Sequence, residues 1–348
     1  MKYSLIANDK VHDNTYNLYK KVFKKLKIEE SKKDPWKDYD ILIYLKRSPL
    51  YFGKYDQYHT FYFIKPEFDK IQNDKGGYIG RLPNSYYIKD KTFFNYNIFS
   101  FYPYSFNVYI KRNTKEIKNY LKHYDYWIIK PSQGTRGNNI VISKAENVLK
   151  YIDKYKKYLF PLSIQRYIEN PLLLNGYKFD FRVYVLYIDN KLYINKYYYV
   201  RLAKKHYNYN NPTDIKAGLT NFSLHNDINF MWTKDKFLKE YERQYPKNSK
   251  NFLDNNLIKK FTDIIEKVFK FINGEVSSSF WKDSHNNYFN LFGFDFLPDE
   301  DGKIYLLEIN PSIGLSDNRK NSQAEKVITD MIKIIIGKEN NKNSFIRI

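Results

Sequence analysis

Two stretches of the chain are organised by alternation. In GYKFDFRVYVLYIDN, Lys178, Asp180 and Arg182 fall on one side and Phe179, Phe181, Val183 and Val185 on the other. A strand, with its side-chain period of two, can bury the aromatic and branched set and gather the charged set on its opposite face. In FNLFGFDFLPDEDGKIYLLEINPS, Asp295 and Glu308 sit among Phe294, Phe296, Leu306 and Ile309 on either side of Asp301-Gly302. Helical spacing governs other segments. Ile258, Phe261, Ile264, Ile265, Val268 and Ile272 form one stripe of a long amphipathic helix. The opening reads strand (3–7), helix (14–27, with Tyr16, Tyr19, Val22, Phe23 and Leu26 on one face), strand (41–45). Helices over 114–123 and 145–158 and strands over 126–130, 140–143 and 162–168 follow, so the class is mixed α/β (α+β).

Turn chemistry sets candidate registers. If Asp189-Asn190 is a whole hairpin loop, Ile188 pairs with Lys191, and counting outward sets Arg182 opposite Tyr197, Asp180 opposite Tyr199 and Lys178 opposite Arg201. Arg201 then joins the charged face. Three cations around one carboxylate suit an anionic ligand; a charged outer sheet face is the alternative. If Asp301-Gly302 is a two-residue loop, Glu300 pairs with Lys303, Asp295 faces Glu308, and Asn310 faces Gly293. Neighbouring carboxylates in an apolar setting repel unless a cation or a proton intervenes. A small, oxygen-only ligand set suits Mg²⁺ bridged to nucleotide phosphates; the alternative is a solvated acidic hairpin.

Composition narrows the field. The chain has 348 residues, 43% hydrophobic and 19% aromatic, too apolar for a disordered segment and long enough for two or three subdomains around one cleft. Its net charge of +21 predicts attraction to polyanions: nucleic acid, an anionic membrane or an acidic protein segment. No zinc-finger or RNP-type motif is present, which disfavours nucleic acid. The absence of cysteine excludes disulfides, thiolate zinc sites and cysteine nucleophiles. The N-terminus lacks an apolar signal core and no run reaches the ~18 apolar residues of a membrane span, so a cytoplasmic protein without a membrane partner is expected. The six histidines are scattered without metal-ligand spacing.

Lys130 ends a strand before SQGTRGNN, a loop holding Gly134, Arg136 and Gly137, and a second strand follows. Such a loop can fold over phosphates, offering backbone N–H groups and a cation; a polar hairpin turn is the alternative. It is not a P-loop, because GxxxxGK[ST] is missing. Residues 204–216 are polar, contain Asn-Asn-Pro, and are expected to form a mobile loop over the site.

In combination and order, WIIKP (127–131), TRG (135–137), QRYIENPLLLNGYKFDFRVYVL (165–186), VRLA (200–203), LTNFS (219–223), LFGFDFL (291–297) and LLEIN (306–310) resemble the tubulin tyrosine ligase-like family of the ATP-grasp architecture. RLPNS and FYPYSF fall in family order upstream. Asn139 stands where the family often has glycine. The resemblance implies an ATP-grasp fold: a small N-terminal α/β domain (1–80), a linker and central subdomain (81–170), a C-terminal subdomain (171–337) and a polar tail (338–348). The nucleotide cleft would lie between the central and C-terminal subdomains.

Residue by residue, the resemblance implies that Lys130 and Lys178 hold ATP phosphates under the loop of Arg136 and Gly137. Gln165, Arg166, Tyr167 and Ile168 would form the hinge around adenine, with Thr220 and Asn221 touching the nucleotide. Asp295, Glu308 and Asn310 would hold Mg²⁺. Asp180, Arg182 and Arg201 would face the reacting carboxylates and the incoming free amino acid. The implied activity is ATP-dependent ligation of an amino acid to a protein carboxylate through an acylphosphate. The partner would be tubulin or another acidic protein tail, with microtubule association. Glutamate is favoured, because GYKFDFRVYVL and VRLAKKHY are more similar to the glutamylase branch; tyrosine and glycine are alternatives. A catalytically silent polyanion-binding protein is the alternative of another class.

Overall fold

The computed structural model describes residues 1–6, 13–32, 38–44, 78–80, 99–109, 113–131, 137, 139–155, 161–221, 228–246, 255–275, 287–311, 313, 315 and 323–348. Arg136 and the RLPNS run lie outside the described residues. The chain opens with β1 (Lys2–Ile6), a helix (Asp13–Lys25), β2 (Glu29–Glu30), β3 (Ile41–Tyr44) and β4 (Tyr78–Ile79). β1 pairs in parallel with β2 and β3, as the β-α-β pattern predicts, and Phe23 of the helix stacks on Tyr3 at 4.0 Å.

Next come β5 (Ser105–Val108), a helix (Thr114–Leu121), β6 (Tyr126–Pro131), β7 (Val141–Lys144), a helix (Ala145–Tyr155) and β8 (Leu162–Arg166). They build a four-stranded antiparallel sheet in the order β5-β8-β6-β7. Alternation divides its faces: Trp127, Ile129, Leu162 and Ile164 pack under the two helices with Val148 and Ile152. Ile128, Lys130 and Gln165 are left on the other face, Ile128 paired with Gln165 and Lys130 with Ser163.

The remaining strands are β9 (Leu173–Leu174), β10 (Tyr177–Ile188), β11 (Lys191–Asn195), β12 (Tyr199–Leu202), β13 (Met231–Thr233), β14 (Asn287–Pro298), β15 (Ile304–Asn310) and β16 (Phe345–Arg347). All join one mixed sheet whose main path runs β13-β12-β10-β14-β4-β3-β1-β2. The opening strands thus continue this sheet through the parallel pair Asn287–Tyr78. Residues expected as a polar tail close its edge, Phe345 pairing with Asn195 while Ser344 is fully buried.

One face of β10 and β14 is apolar along most of its length, with Asn290 the buried polar exception opposite Tyr187. Phe181, Phe292, Phe294 and Phe296 meet the helix Asn255–Glu275, where Phe261 stacks on Phe296 at 4.6 Å and Phe269 meets Phe292 edge-on. The other face changes character along β10. Lys178, Asp180 and Arg182 give way to Leu186 and Ile188, which are covered by Val327, Ile328 and Met331 of the helix Ala324–Ile335. The strand is therefore half site and half core on a single face.

Both counted registers need correction. Ile188 does pair with Lys191, but β12 meets β10 with Arg182 opposite Tyr199 and Asp180 opposite Arg201. Residues 196–198 break the strand, with Asn195 Oδ1 accepting from Tyr197 N, and shift the count by two. In the second hairpin, Asp299 closes on Lys303 around Glu300-Asp301-Gly302, with Gly302 at φ +78°, while Glu300 N donates to Asn170 O. This three-residue turn shifts the count by one; a bulge between Asp295 and Phe296 shifts it back, so Asp295 still faces Glu308 and Gly293 faces Asn310.

Candidate active site

The charged half of β10 faces the polar face of the four-stranded sheet across a cleft that opens to solvent. Ile128, Lys130, Gln165 and Arg166 line it from β6 and β8, and Tyr167 and Ile168 from the segment beyond. Opposite stand Lys178, Asp180, Arg201, Asp295 and Glu308, with Leu297 and Leu307. Gly218, Leu219, Thr220 and Asn221 close a third side. Residues assigned from distant parts of the sequence therefore converge on one space. Arg182 and Asn310 stand one layer back, Arg182 against Asp295 and Asn310 against Glu308. Gly137 does not line the cleft. It takes φ +75°, and Asn139 takes φ +58°, the left-handed region that asparagine tolerates better than most residues in place of glycine.

At the centre is a buried ion network. Arg201 grips Asp180 with Nε at 2.6 Å and Nη2 at 2.5 Å, and its Nη2 also lies 2.9 Å from Asp295 Oδ2. Arg182 binds the same Asp295 carboxylate through both Nε and Nη2, the latter at 2.9 Å. Thr220 Oγ1 donates to Asp180 Oδ2 at 2.5 Å. The two acids respond differently. Burial pushes the Asp180 carboxyl up against the opposing pull of Arg201. Burial also opposes ionisation of Asp295, but Arg182 and Arg201 outweigh it and hold that carboxyl well below the usual range. Burial pushes the Lys178 ammonium down to about 7, with Asp180 opposing and Lys130 reinforcing the shift.

Nucleotide and metal can be tested against this donor set. Gln165 is buried; its Oε1 accepts from Lys130 Nζ at 2.5 Å, while its Nε2 has no partner among the described residues. Gln165 lines the cleft together with Ile128, Ile168, Leu297 and Leu307, surroundings that fit a flat base carrying acceptor nitrogens. Lys130 and Lys178 add charge for phosphates. Glu308 touches Asp295 and accepts from Asn310 Nδ2 at 3.0 Å, and among the described residues no cation pairs with it. This open carboxylate fits a hard divalent ion, for which Asp295 would exchange guanidinium contacts. Among the described residues no three acidic or histidine side chains surround one point, so such an ion would draw further oxygens from its ligand.

Sequence reasoning missed Tyr207, Gly218 and the apolar walls Leu297 and Leu307. Tyr207 lies inside the segment expected as a mobile loop, yet it is buried, its N donating to Gly176 O at 2.8 Å and its hydroxyl to Glu169 O at 2.9 Å. A Cβ on Gly218 would come within 2.8 Å of the Tyr167 hydroxyl. Neither residue carried a signal, because a single tyrosine among 36 is indistinct. No helix of the described residues is long and apolar enough to cross a membrane.

The profile of the Tubulin-tyrosine ligase family matches residues 70–343. The chain is 25% identical over 243 residues to "Probable tubulin polyglutamylase ttll-9" of Caenorhabditis elegans, covering 63% of this chain and 55% of that protein. It is 31% identical over 228 residues to "Tubulin glycylase 3C" of Tetrahymena thermophila, covering 63% of this chain and 21% of that protein. It is 29% identical over 233 residues to "Probable tubulin polyglutamylase TTLL2" of Homo sapiens, covering 62% and 36%. The matches span about half the length of these relatives or less.

Proposed function

Because the chain belongs to the tubulin-tyrosine ligase family, we propose that it is an ATP-dependent ligase joining an amino acid, glutamate in our reading, to a carboxylate of an acidic protein tail such as that of tubulin. The observation that carries this reading is the convergence of Lys130, Lys178, Arg201, Asp180, Asp295 and Glu308 on one cleft between two sheets. A carboxylate oxygen of the acceptor attacks the terminal phosphorus of ATP, the bond from that phosphorus to ADP breaks, and an acylphosphate forms. The amine of the incoming amino acid attacks the acyl carbon, loses a proton and expels phosphate. No enzyme nucleophile is needed; positioning and charge neutralisation carry the rate.

In this scheme Lys130 and Lys178 bind phosphate oxygens, and Gln165 to Ile168 receive the base. Thr220 and Asn221 close over the nucleotide. Mg²⁺ held by Asp295, Glu308 and Asn310 would neutralise phosphate charge. Arg201, which lines the cleft, offers its guanidinium to the carboxylates of acceptor and amino acid, Asp180 orients it, and Arg182 behind it holds Asp295. A net charge of +21 steers the protein to acidic tails, and a cytoplasmic, microtubule-associated protein follows. Glycine is the second reading, favoured by the 31% identity to Tubulin glycylase 3C.

Mass spectrometry tests the proposal, with purified protein, Mg-ATP, tubulin and a mixture of glutamate, glycine and tyrosine, and Glu308→Gln as control. The expected result is an ATP-dependent glutamate increment on a tubulin tail that the variant lacks. A glycine or tyrosine increment replaces the amino acid. ATP binding without any increment replaces the acceptor. No Mg-ATP heat stabilisation overturns the ligase reading in favour of a silent polyanion-binding protein.

A further inference from the structure

The ammonium of Lys178 is held in an unusual way. The residue is only 4% exposed, yet among the described residues its Nζ makes no hydrogen bond or ion pair. It meets two aromatic faces instead: the Tyr167 ring at 4.0 Å from the centroid and the Tyr207 ring at 5.7 Å. Tyr207 is fixed at both ends, its backbone N bonded to the turn before β10 and its hydroxyl to the segment after β8. One ring thereby ties the large sheet to the small one across the lysine.

We propose that Tyr207 is a positioning residue that forms, with Tyr167, a two-walled aromatic sleeve keeping the Lys178 ammonium charged and directed into the cleft to receive a phosphate oxyanion. A buried cation without hydrogen-bond acceptors needs some attraction to offset its lost hydration, and the negative faces of two tyrosine rings supply it. Among the described residues, the remaining charged groups around Lys178 are Asp180 on its own strand, already committed to Arg201 and Thr220, and Lys130 from β6, which repels it. Burial has already brought Lys178 down to about 7, so weakening the sleeve removes charge in the physiological range. The phosphate assignment rests on the nucleotide reading above; the sleeve itself does not.

The test follows the titration of Lys178 by heteronuclear NMR of the lysine side-chain CH₂ groups, with the signal assigned by its loss in Lys178→Arg, and ATP affinity by calorimetry at pH 6 and pH 8. Tyr207→Leu is expected to lower the Lys178 midpoint by about one unit. Because only the charged fraction binds phosphate, ATP affinity should fall about tenfold at pH 8 and only about twofold at pH 6. A general packing defect would weaken both alike. Tyr207→Phe keeps the ring and restores the midpoint. Where the leucine variant does not fold, phenylalanines of increasing fluorination at position 207 withdraw ring electron density at nearly constant shape, and the midpoint must fall stepwise. An unchanged midpoint in the leucine variant or across the fluorinated series overturns the sleeve. A shifted midpoint in a protein that binds no ATP upholds the sleeve and overturns the phosphate assignment.

Discussion

Asp180 and Asp295 make an instructive pair. They sit on adjacent strands of one sheet, 2% and 1% exposed, and share the Arg201 guanidinium, yet their carboxyls are displaced in opposite directions. The hairpins that deliver them differ in what they bring. β12 supplies Asp180 with one arginine, and a threonine hydroxyl reaches it from Thr220, outside the sheet. β14 sets Asp295 against two arginines, because it pairs with β10 at Arg182. At equal burial, the number of cations around a carboxylate decides whether desolvation or attraction wins.

The largest expected effect tests this directly. Asp295→Ala leaves two guanidiniums short of their anion and should cost about 3–5 kcal/mol in urea unfolding. Asp180→Asn keeps an acceptor for one guanidinium and should cost about 1–3 kcal/mol. Equal costs would remove the distinction between the two sites. Next comes catalysis: Glu308→Gln should cut ligation about a hundredfold or more, since it removes the open carboxylate of the second hairpin. Its unfolding free energy should move by less than ~1 kcal/mol, because among the described residues no cation depends on Glu308; a large loss of stability would show that it belongs to the buried network.

The acid limb of the stability curve separates the pair again. A depressed carboxyl contributes stability that is full above its unfolded value and is lost as pH falls through the folded one, so Asp295 weakens the fold below about pH 4. Asp180, displaced upward, acts in the opposite sense, and its contribution falls as pH rises from about 4 toward its folded value. Asp295→Asn should therefore flatten the acid limb, whereas Asp180→Asn should steepen it; identical limbs would break the comparison. The smallest effect concerns the turn. Gly302 at φ +78° closes the second hairpin, so Gly302→Ala should cost about 1 kcal/mol while leaving ATP affinity unchanged. A large loss of ATP affinity would mean that the bulge near Leu307 depends on the turn.

Much of the site was legible in the sequence because alternation is local chemistry. Lys178, Asp180 and Arg182 share a face whatever the rest of the chain does, and Arg201 stays with them because the register error was an even number of residues. The Asp295–Glu308 pairing was legible for a less secure reason: two one-residue departures, at the turn and at the bulge, cancel. The partner of each charge was not legible. Counting placed Arg201 opposite Lys178, and only the break at residues 196–198 sets it against Asp180.

The sequence by itself determined the two periodicities, hence the strands, the long helix and the grouping of charges by face, because these depend on backbone geometry within a few residues. Tertiary structure alone decided that half of one β10 face becomes core beneath the helix Ala324–Ile335 while the other half becomes a cleft. It also decided that Tyr207 reaches Lys178, and that Asp295 rather than Asp180 is held by two guanidiniums. Those outcomes depend on which elements lie opposite one another in space, and burial and Coulomb attraction act on spatial neighbours whatever their separation along the chain.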